Sequence, residues 1–542
     1  MPGLPPPPGF TGAFRTDPRS RAAYAEGAGP FRIVPGAVAV PQHQDDVRAL
    51  TQQAAREGWA LIPRGAGSGI PGGNIGRGVI VDLQRFREPL EVTEGRATVG
   101  AAISWRDLDR AAAPHGWRLP PDPSSSAYCT LGGMAATNAS GAHALRFGSM
   151  RDWVEEIELV TGEGELVRLR RHGPPSPSRT ELERRFAAGP APRIGAAAGE
   201  IRARFPRTSK NSAGYALDAY LESGSLVDLV VGSEGTLGIV TSLAVRLAPR
   251  PLAMASLLVG LPDLGRLPSA IARLMPTGPT ALELLDRSFL QLAEHNTAFP
   301  VRGWQAALLL DFEGAEHELR IAVEAAQGEV AGIAAFARGA FDPAEREELW
   351  SLRHAASPTL ARLPETRRSM QVIEDGCVPV ERLGDYLRGV HAAAREAEVD
   401  VVAFGHAGNG HLHVNALVDT TDPEFRNRLE RLLARVTALV IELGGTPTGE
   451  HGDGRLRVAA VHALYGDRIV ALFRAVKTAF DPSGILNPGV ILPADAPVAV
   501  GYKVGADAES IPADIAARLR QLERGAGWGI SKLELLRDPD RR

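Results

Sequence analysis

The chain has 542 residues, of which 44% are hydrophobic and 23% are charged, a composition typical of a soluble globular protein. Its length exceeds what a single hydrophobic core usually supports, so we expect two or more domains. The 60 basic and 64 acidic residues leave a net charge of −4. That balance argues against a polyanion-binding surface, and so against nucleic acid as a partner.

The cysteine content and the first residues exclude several classes of protein. Two cysteines, Cys129 and Cys377, give no disulfide framework, and an iron–sulfur cluster carried by this chain alone would need about four thiolates. The start, MPGLPPPPGF, lacks the basic and apolar regions of a secretory signal. No stretch approaches the roughly 18 apolar residues of a transmembrane helix. We therefore expect a protein of the reducing cytoplasm without a transmembrane segment.

The N-terminal part leads into a glycine-rich loop. Residues 1–30 are rich in Pro and Gly and are predicted to be an arm laid over the surface. The pattern after Phe31 predicts a strand, and Asp45–Arg56 is predicted to be an amphipathic helix. The strand Trp59–Pro63 then runs into RGAGSGIPGGNIGRG, with seven glycines between positions 65 and 78. Such a backbone can turn several N–H groups toward an anion.

The loop formally fits a dinucleotide-binding fingerprint, because Gly67-x-Gly69-x-x-Gly72 has the required spacing. The fingerprint requires a helix to open at its last glycine. Here Pro71 lies inside the motif and the continuation, Val79–Leu83, is a strand, so this interpretation fails. Two interpretations remain: a loop between two strands that binds phosphate, or a glycine-rich hairpin without a ligand.

Two further stretches of small residues follow. Pro121–Gly148 offers hydroxyls, an amide and bare backbone with almost no bulk, so we expect another group to pack against it. A strand hairpin at Val154–Leu169 and a surface insertion of short helices at 171–209 separate it from the third stretch, Val231–Thr241. The third stretch leads into a strand predicted at Leu243–Leu247.

The second half begins after Pro249-Arg250-Pro251, a natural domain boundary. Strands are predicted at Ala255–Leu261, Ala306–Phe312 and 332–338, and helices at 268–275, 315–326 and Pro343–Ala355. This alternation predicts an antiparallel sheet with helices on one face. The charged tail from about 496 contains an amphipathic segment near 513–523, which either caps the fold or meets a partner.

Histidines are concentrated near residue 410. Four of the 13 histidines in the chain lie close together in the sequence: His406, His411, His413 and His451. Glu450 precedes the last of them. Imidazoles together with a carboxylate suit a divalent transition metal, and an imidazole left over is a candidate base. The alternative is a set of core histidines that close a turn without metal.

The elements around the histidines explain how Glu450 would reach them. A strand is predicted at Leu412–Val418. A helix follows, with Asp422 as N-cap, Pro423 in the first turn and Gly444-Gly445 at its end. Packed antiparallel to the strand, this helix returns the chain to the histidine end and delivers Glu450 and His451 there.

Taken together, the motifs resemble two known domains. Three segments resemble the p-cresol methylhydroxylase-type FAD domain of the vanillyl-alcohol oxidase superfamily: PRGAGSGIPGG, CTLGGMAATNASG with FGSMRD, and GSEGTLGIVT. Five more resemble the C-terminal domain of FAD-linked oxidases such as D-lactate, glycolate and D-2-hydroxyglutarate dehydrogenases: WSLRH, IEDGCVPV, GHAGNGHLH, GEHGDG and FDPSGILNPG.

This resemblance implies an α+β protein. An FAD domain of two α/β subdomains at 31–250 would be followed, at 251–495, by a substrate domain whose antiparallel sheet is covered by helices. The arm 1–30 precedes them and the charged tail 496–542 follows.

The resemblance also implies the residues that contact FAD. The first segment would bind the diphosphate, the second the flavin and ribityl chain, and the third the adenine end, while the Asn of LNPG lies against the flavin. In that order the residues are Arg64, Gly65, Gly67, Ser68, Gly69, Gly72 and Gly73; Thr130, Gly132, Gly133 and Asn138; Glu234, Gly235 and Ile239; and Asn487. Some relatives attach flavin to a histidine of the first loop. No His, Cys or Tyr lies between Arg64 and Gly78, so we expect non-covalent FAD with Cys129 packed nearby.

The same resemblance assigns the chemistry. His406, His413 and Glu450 would bind a divalent metal, expected to be zinc, and His451 would be the general base. His411 takes a position where relatives often have Asn, so it is not counted as a ligand. Arg353 would bind the substrate carboxylate; the alternative is a solvated arginine on a helix. The D-2-hydroxyglutarate enzymes carry a substrate lysine just before the segment matching EDGCVP, and Val372–Asp375 contains none. That absence favours a monocarboxylate such as glycolate or lactate.

The expected activity is oxidation of a D-2-hydroxy acid to the 2-keto acid by hydride transfer to flavin N5. Electrons would pass to an external acceptor: an iron–sulfur subunit, a quinone or a cytochrome. The chain would be a homodimer or part of a hetero-oligomer, either cytoplasmic or peripheral to the inner membrane through a partner. Two alternatives are an aryl-alcohol or phenol oxidase that needs no metal, and an accessory subunit that keeps the fold without the chemistry.

Overall fold

The protein is described here from a computed structural model. It covers residues 4–172, 179–294, 297, 299–354, 360, 363–364, 366–494, 500–525, 527–529 and 531–536, so the predicted boundary at 495–496 lies outside the described residues. Within these ranges, no helix has the length and apolar character needed to cross a lipid bilayer.

The first half contains two sheets. The first has four strands in the order Ala13–Arg15, Ala37–Val40, Val79–Asp82 and Leu61–Arg64, and the second has five antiparallel strands in the order Leu166–Arg170, Val154–Val160, Ile239–Arg246, Arg96–Gly100 and Leu90–Thr93. Leu61–Arg64 and Val79–Asp82 are parallel neighbours. The glycine loop between them therefore connects two parallel strands without a helix. This excludes the hairpin geometry, and binding of phosphate by the loop stays a prediction.

Eleven α-helices are described in the first half: Pro18–Ala23, Gln44–Glu57, Trp105–Ala112, Leu131–Thr137, Ala144–Phe147, Met150–Trp153, Glu181–Ala188, Pro190–Ala196, Ala198–Arg204, Leu217–Ser223 and Leu226–Val230. The helices at 181–204 were expected to be a surface insertion, and this expectation is wrong in one respect. Leu182, Phe186 and Ile194 are buried, and the ring of Phe186 packs edge-on against Phe480. These helices therefore cover part of the core.

The second half is organised around one large antiparallel sheet. Its strands follow the order Phe336–Ala340, Ala253–Leu261, Ala306–Gly314, Ala281–Asp286, Asp400–His406, His411–Asp419 and Arg367–Met370, and Gly376–Cys377 also pairs with His411–Asp419. The expectation of helices on one face is wrong. Helices Leu267–Leu274, Glu316–Val330, Leu383–Glu396 and Phe425–Glu442 pack on one face, and Arg287–Ala293 and Pro343–His354 pack on the other. Alternate strand residues are apolar on both faces, so both need cover.

The helix after the histidine strand starts later than predicted. It spans Phe425–Glu442, whereas the Asp422 side chain accepts a hydrogen bond from the Glu424 backbone N–H at 2.9 Å in the preceding turn. Its end is as predicted, since Gly444 adopts the left-handed conformation with φ 77°. The helix brings the chain back toward the histidine end of the sheet.

Segments from both chain ends complete the first half. The helix Val458–Phe480 and residues near 485–492 lie in the same apolar core as the second, five-stranded sheet, although the sequence places them in the second domain. The arm supplies the edge strand Ala13–Arg15. The tail helix Ala513–Arg524 packs in a cluster with Tyr24. Two small sheets, Trp117–Arg118 with Ala248–Pro249 and Phe31–Arg32 with Gly501–Tyr502, join distant parts of the chain.

Candidate active site

The three predicted metal ligands converge at the end of two neighbouring strands. His413 lies opposite Phe404, and His406 ends the strand beside it. His406 Nε2 and His413 Nε2 are 3.2 Å apart, and Glu450 Oε1 lies 3.3 Å from each of them. All three side chains are buried. The helical return of the chain therefore delivers Glu450 to the histidines, as the sequence predicts.

The outer nitrogens of the two rings fix which atoms face Glu450. His406 Nδ1 lies 2.5 Å from Glu283 Oε1, and His413 Nδ1 lies 3.0 Å from the carbonyl oxygen of Glu374. Both partners accept a hydrogen bond, so Nδ1 is the nitrogen of each ring that donates, and Nε2 is the nitrogen that faces Glu450 and is available to a metal. A tetrahedral ion with bonds of about 2.0–2.1 Å would separate its donors by about 3.3 Å. The donor set therefore fits the divalent metal that the sequence predicts.

The second oxygen of Glu450 is held by two residues of the first half. Ser140 Oγ donates to Glu450 Oε2 at 2.5 Å and Lys210 Nζ lies 2.6 Å from it; both residues are buried. Burial opposes ionisation of Glu450, but the charges of Lys210 and His406 outweigh it and hold its pKa well below the usual range. Glu450 therefore presents a single ionised oxygen to the two imidazoles.

Arg353 lies beside the predicted metal ligands, because it shares Glu283 with His406. Its Nε donates to Glu283 Oε2 at 3.0 Å, and its guanidinium carbon lies 4.6 Å from the centre of the Phe404 ring. Glu283 is fully buried, which opposes its ionisation, but His406 and Arg353 lower its pKa to about 2. Arg353 is thus not a solvated helix residue: one nitrogen is committed to Glu283, and its side chain is only 14% exposed.

His451 is oriented by two buried carboxylates. Its Nδ1 contacts Glu374, its backbone N–H donates to Asp375 Oδ2 at 3.0 Å, and its ring stacks on His413 with centroids 5.3 Å apart. Burial opposes protonation of His451, but Glu374 and Asp375 outweigh it and raise its pKa to about 10. The side chain keeps 26% exposure, and Nε2 is the nitrogen left for a substrate.

His411 lies next to the predicted metal ligands, but its hydrogen bond is to Asp375. Its Nε2 is 3.0 Å from Asp375 Oδ1, and burial lowers its pKa to about 3. A neutral, fully buried imidazole tied to Asp375 acts as a structural element. One of its ring nitrogens nevertheless lies within 4.8 Å of donor atoms of His406, His413 and Glu450, so the expectation that His411 is not a ligand stays a prediction.

A cavity of about 590 Å³ lies between these residues and the small-residue segments. That volume is within the range of cofactor sites. Eleven predicted FAD contacts line it: Arg64, Gly65, Gly67, Ser68, Gly69, Gly73, Thr130, Gly132, Gly133, Glu234 and Gly235. Glu450 and His451 also line it. Gly72, Asn138, Ile239 and Asn487 are not among the lining residues, and neither are His406, His413 and Arg353.

The side chains of three residues predicted to contact FAD form hydrogen bonds to the backbone around the cavity. The buried Arg64 guanidinium donates to the carbonyl oxygen of Glu26 at 2.8 Å. The amide of Asn487 donates to the carbonyl oxygens of Gly73 and Glu234, each at 2.8 Å. The Glu234 carboxylate accepts the Asp453 N–H at 2.7 Å. These side chains brace the loops by bonding to their backbones.

The close packing of the three small-residue segments explains their glycines. A Cβ on Gly65 would lie 2.4 Å from Thr130 Oγ1, and one on Gly73 would lie 2.6 Å from Glu234 Oε2. The loop can therefore rest on the second and third segments only without side chains. What remains is a cavity wall of backbone and small polar groups, which suits the diphosphate and ribityl chain of FAD.

Sequence reasoning missed several residues of the site. These are Ser140, Lys210, Glu283, Glu374, Asp375, Asn415 and the cavity-lining Arg368. Two signals could have been used. Glu283 is an acid inside the apolar run ALELL, and Glu374-Asp375 are adjacent acids inside the motif IEDGCVPV. Lys210 carries no local signal, because its partner Glu450 is 240 residues away.

Comparison with known proteins agrees with this geometry. Residues 250–491 match the family "FAD linked oxidases, C-terminal domain", and residues 35–170 match "FAD binding domain". The chain belongs to the FAD-linked oxidases. This FAD-linked oxidase is therefore a flavoprotein oxidoreductase, and its two-domain α+β fold is the predicted one.

Relatives of this FAD-linked oxidase carry related names. It is 29% identical to "Glycolate oxidase subunit GlcD" of Escherichia coli over 89% of this chain and 88% of that protein. It is also 29% identical to a "D-lactate dehydrogenase" of Archaeoglobus fulgidus, over 84% and 91% of the two chains. Among solved structures, 4-ethylphenol oxidase from Gulosibacter chungangensis superposes with a TM-score of 0.65 at 16% identity, over 89% and 94%. At that identity the likeness concerns the fold alone.

Proposed function

We propose that this chain oxidises a D-2-hydroxy acid to the 2-keto acid with FAD as the hydride acceptor. The observation that carries the proposal is the arrangement of two imidazole nitrogens and one carboxylate oxygen, 3.2–3.3 Å apart, next to His451, which lines the predicted flavin cavity together with Glu450. A carboxylate and a neighbouring hydroxyl form the chelating pair that such a site binds well. The names of the relatives, glycolate oxidase subunit and D-lactate dehydrogenase, support this substrate class.

His406, His413 and Glu450 would hold the metal, with zinc as the expected ion. A divalent cation bound there would polarise the substrate hydroxyl and, as a like charge, oppose protonation of His451. Glu283, Lys210 and Ser140 keep the three donor atoms in place by binding their opposite sides. With three donor atoms from the protein, the proposed metal would keep coordination positions for the substrate oxygens.

His451 is the proposed general base. Glu374 holds its Nδ1, which leaves Nε2, 3.6 Å from Glu450 Oε1, to take the hydroxyl proton. FAD, when bound, supplies the acceptor for the α-hydrogen, which leaves as a hydride. His451 and the small-residue segments line the same cavity, which supports the assignment of the proton to His451 and of the hydride to FAD.

Arg353 is the proposed partner of the substrate carboxylate. Its Nε is fixed by Glu283, and among the described residues its two outer nitrogens have no hydrogen-bond partner. Those two nitrogens form the fork that binds a carboxylate with two hydrogen bonds. Arg353 and His406 share Glu283, which places the fork beside the metal ligands. The missing substrate lysine in Val372–Asp375 favours a monocarboxylate such as glycolate or lactate.

FAD is proposed to be non-covalent and to pass its electrons to an external acceptor. Cys129 lines the cavity, but burial raises the pKa of its thiol to about 12, which disfavours the thiolate needed to form a tether. A relative that is named a subunit supports a partner protein. We propose that the acceptor is an iron–sulfur subunit, a quinone or a cytochrome. We propose either a homodimer or a hetero-oligomer, in the cytoplasm or peripheral to the inner membrane.

The test is dye reduction by a panel of D- and L-2-hydroxy acids, before and after treatment with a chelator. We expect activity with the D acids, its loss after chelation and its return with zinc. Reduction by none of the acids would overturn the dehydrogenase assignment. Full activity after verified metal removal would overturn the metal role only.

A further inference from the structure

The C-terminal tail extends beyond the part of the chain that matches the family. That match ends at residue 491, whereas the described tail runs from residue 500 to 536 with two single-residue gaps. Its helix Ala513–Arg524 buries Ile515, Leu519 and Leu522 in a cluster with strands of the first sheet. This much buried apolar surface makes the segment part of the fold.

The tail is fastened to the N-terminal arm beside the glycine loop. The strand Gly501–Tyr502 pairs with Phe31–Arg32, and the two aromatic rings of this pair stack with centroids 5.5 Å apart. The arm in turn contacts the loop, where the Ala28 N–H donates to the carbonyl oxygen of Gly67 at 3.0 Å. The two chain ends thus cover the loop predicted to bind the diphosphate.

Beyond its helix, the tail enters the wall of the flavin cavity. Trp528 is 5% exposed and lines the cavity together with Tyr128 of the second small-residue segment. Lys503 lines it from the start of the tail, with Nζ 2.9 Å from Glu523. An aromatic ring and a cation match a ligand that carries aromatic rings and a diphosphate.

We propose that the tail is part of the FAD-binding site, with Trp528 as an apolar contact and Lys503 as a cationic one. The proposal requires only that the chain binds FAD, so it is independent of the hydroxy acid chemistry. The tail adds affinity and slows release, compared with a site built from the three small-residue segments alone.

The test uses full-length protein freed of flavin and titrated with FAD, with flavin fluorescence as the readout. Trp528→Ala is expected to raise the Kd for FAD about tenfold or more and to speed its release, and Trp528→Phe should restore most of the affinity. Leu535→Ala is the matched control, because Leu535 belongs to the same apolar cluster but does not line the cavity. Its Kd should stay within about twofold of the wild-type value.

A second variant keeps the proposal testable if Trp528→Ala fails to fold, which thermal unfolding of the flavin-free proteins would reveal. Lys503→Gln is expected to raise the Kd several-fold and to weaken its dependence on salt. An unchanged Kd in every folded variant would overturn the proposal. An equal loss in Leu535→Ala and Trp528→Ala would also overturn it, because the tail would then act through packing alone.

Discussion

Replacing Glu283 by Gln removes the buried carboxylate behind the proposed metal ligand His406. Glu283 is fully buried, and its oxygens lie 2.5 Å from His406 Nδ1 and 3.0 Å from Arg353 Nε. The amide keeps the size of the side chain but loses the charge that makes the imidazole a stronger donor. Loss of such a partner weakens metal binding about 10- to 100-fold, or about 1.4–2.8 kcal/mol.

The assay is a competition for Zn²⁺ between the FAD-loaded protein and a chelator of known affinity. Asp311→Asn is the matched control, since Asp311 is a buried strand carboxylate that bonds Trp350 and Ser256, away from the three donors. We expect Glu283→Gln to lose affinity and Asp311→Asn to keep it. A zinc affinity of Glu283→Gln equal to the wild-type value would show that Glu283 does not support His406 as a metal ligand.

Three further predictions concern other parts of the molecule. His451→Ala should slow flavin reduction about 10²- to 10⁴-fold, the usual contribution of a general base, without changing the affinity for FAD; stopped-flow bleaching measures the rate. Burial raises the pKa of the Cys129 and Cys377 thiols to about 12, so both should react with a disulfide reagent at about pH 8 roughly a thousand times more slowly than an exposed thiol. Rapid labelling of the native protein would contradict this. Burial opposes protonation of His143, but Asp122 and Asp311 raise its pKa well above the usual value, so its contribution to stability is complete below about pH 6.5 and is lost as pH rises through the folded-state pKa. Urea unfolding of the wild type and of His143→Gln at about pH 6 and pH 9 measures this, and the same pH dependence in both proteins would count against it.

The features that the sequence predicts well are local. Seven of the 14 residues from Gly65 to Gly78 are glycines, so this segment cannot form a regular helix or strand and becomes a loop between two strands. Pro71 excludes the helix of a dinucleotide fold. The convergence of His406, His413 and Glu450 follows from the lengths of one strand and one helix. Both features depend on segments that lie close to one another in the sequence.

The features that sequence reasoning misses depend on distant contacts. Glu283 reaches His406 across 123 residues, and nothing in its own strand says which histidine it meets. Arg64 lines the cavity, but nothing in its own loop indicates that its guanidinium donates to the carbonyl oxygen of Glu26, on the arm. The helix predicted at Asp422 begins at Phe425, because Asp422 caps a turn just before it. The first two contacts join distant parts of the chain, whereas the start of the helix depends on a local hydrogen bond of the Asp422 side chain.

The most direct test of the central claim is anaerobic reduction of the bound flavin by D-lactate and by its α-deuterated form. We expect D-lactate but not L-lactate to bleach the flavin, and the deuterated acid to do so more slowly, because the α-hydrogen leaves as a hydride while His451 takes the hydroxyl proton. A flavin that stays oxidised with D-lactate, glycolate and every other 2-hydroxy acid would contradict it.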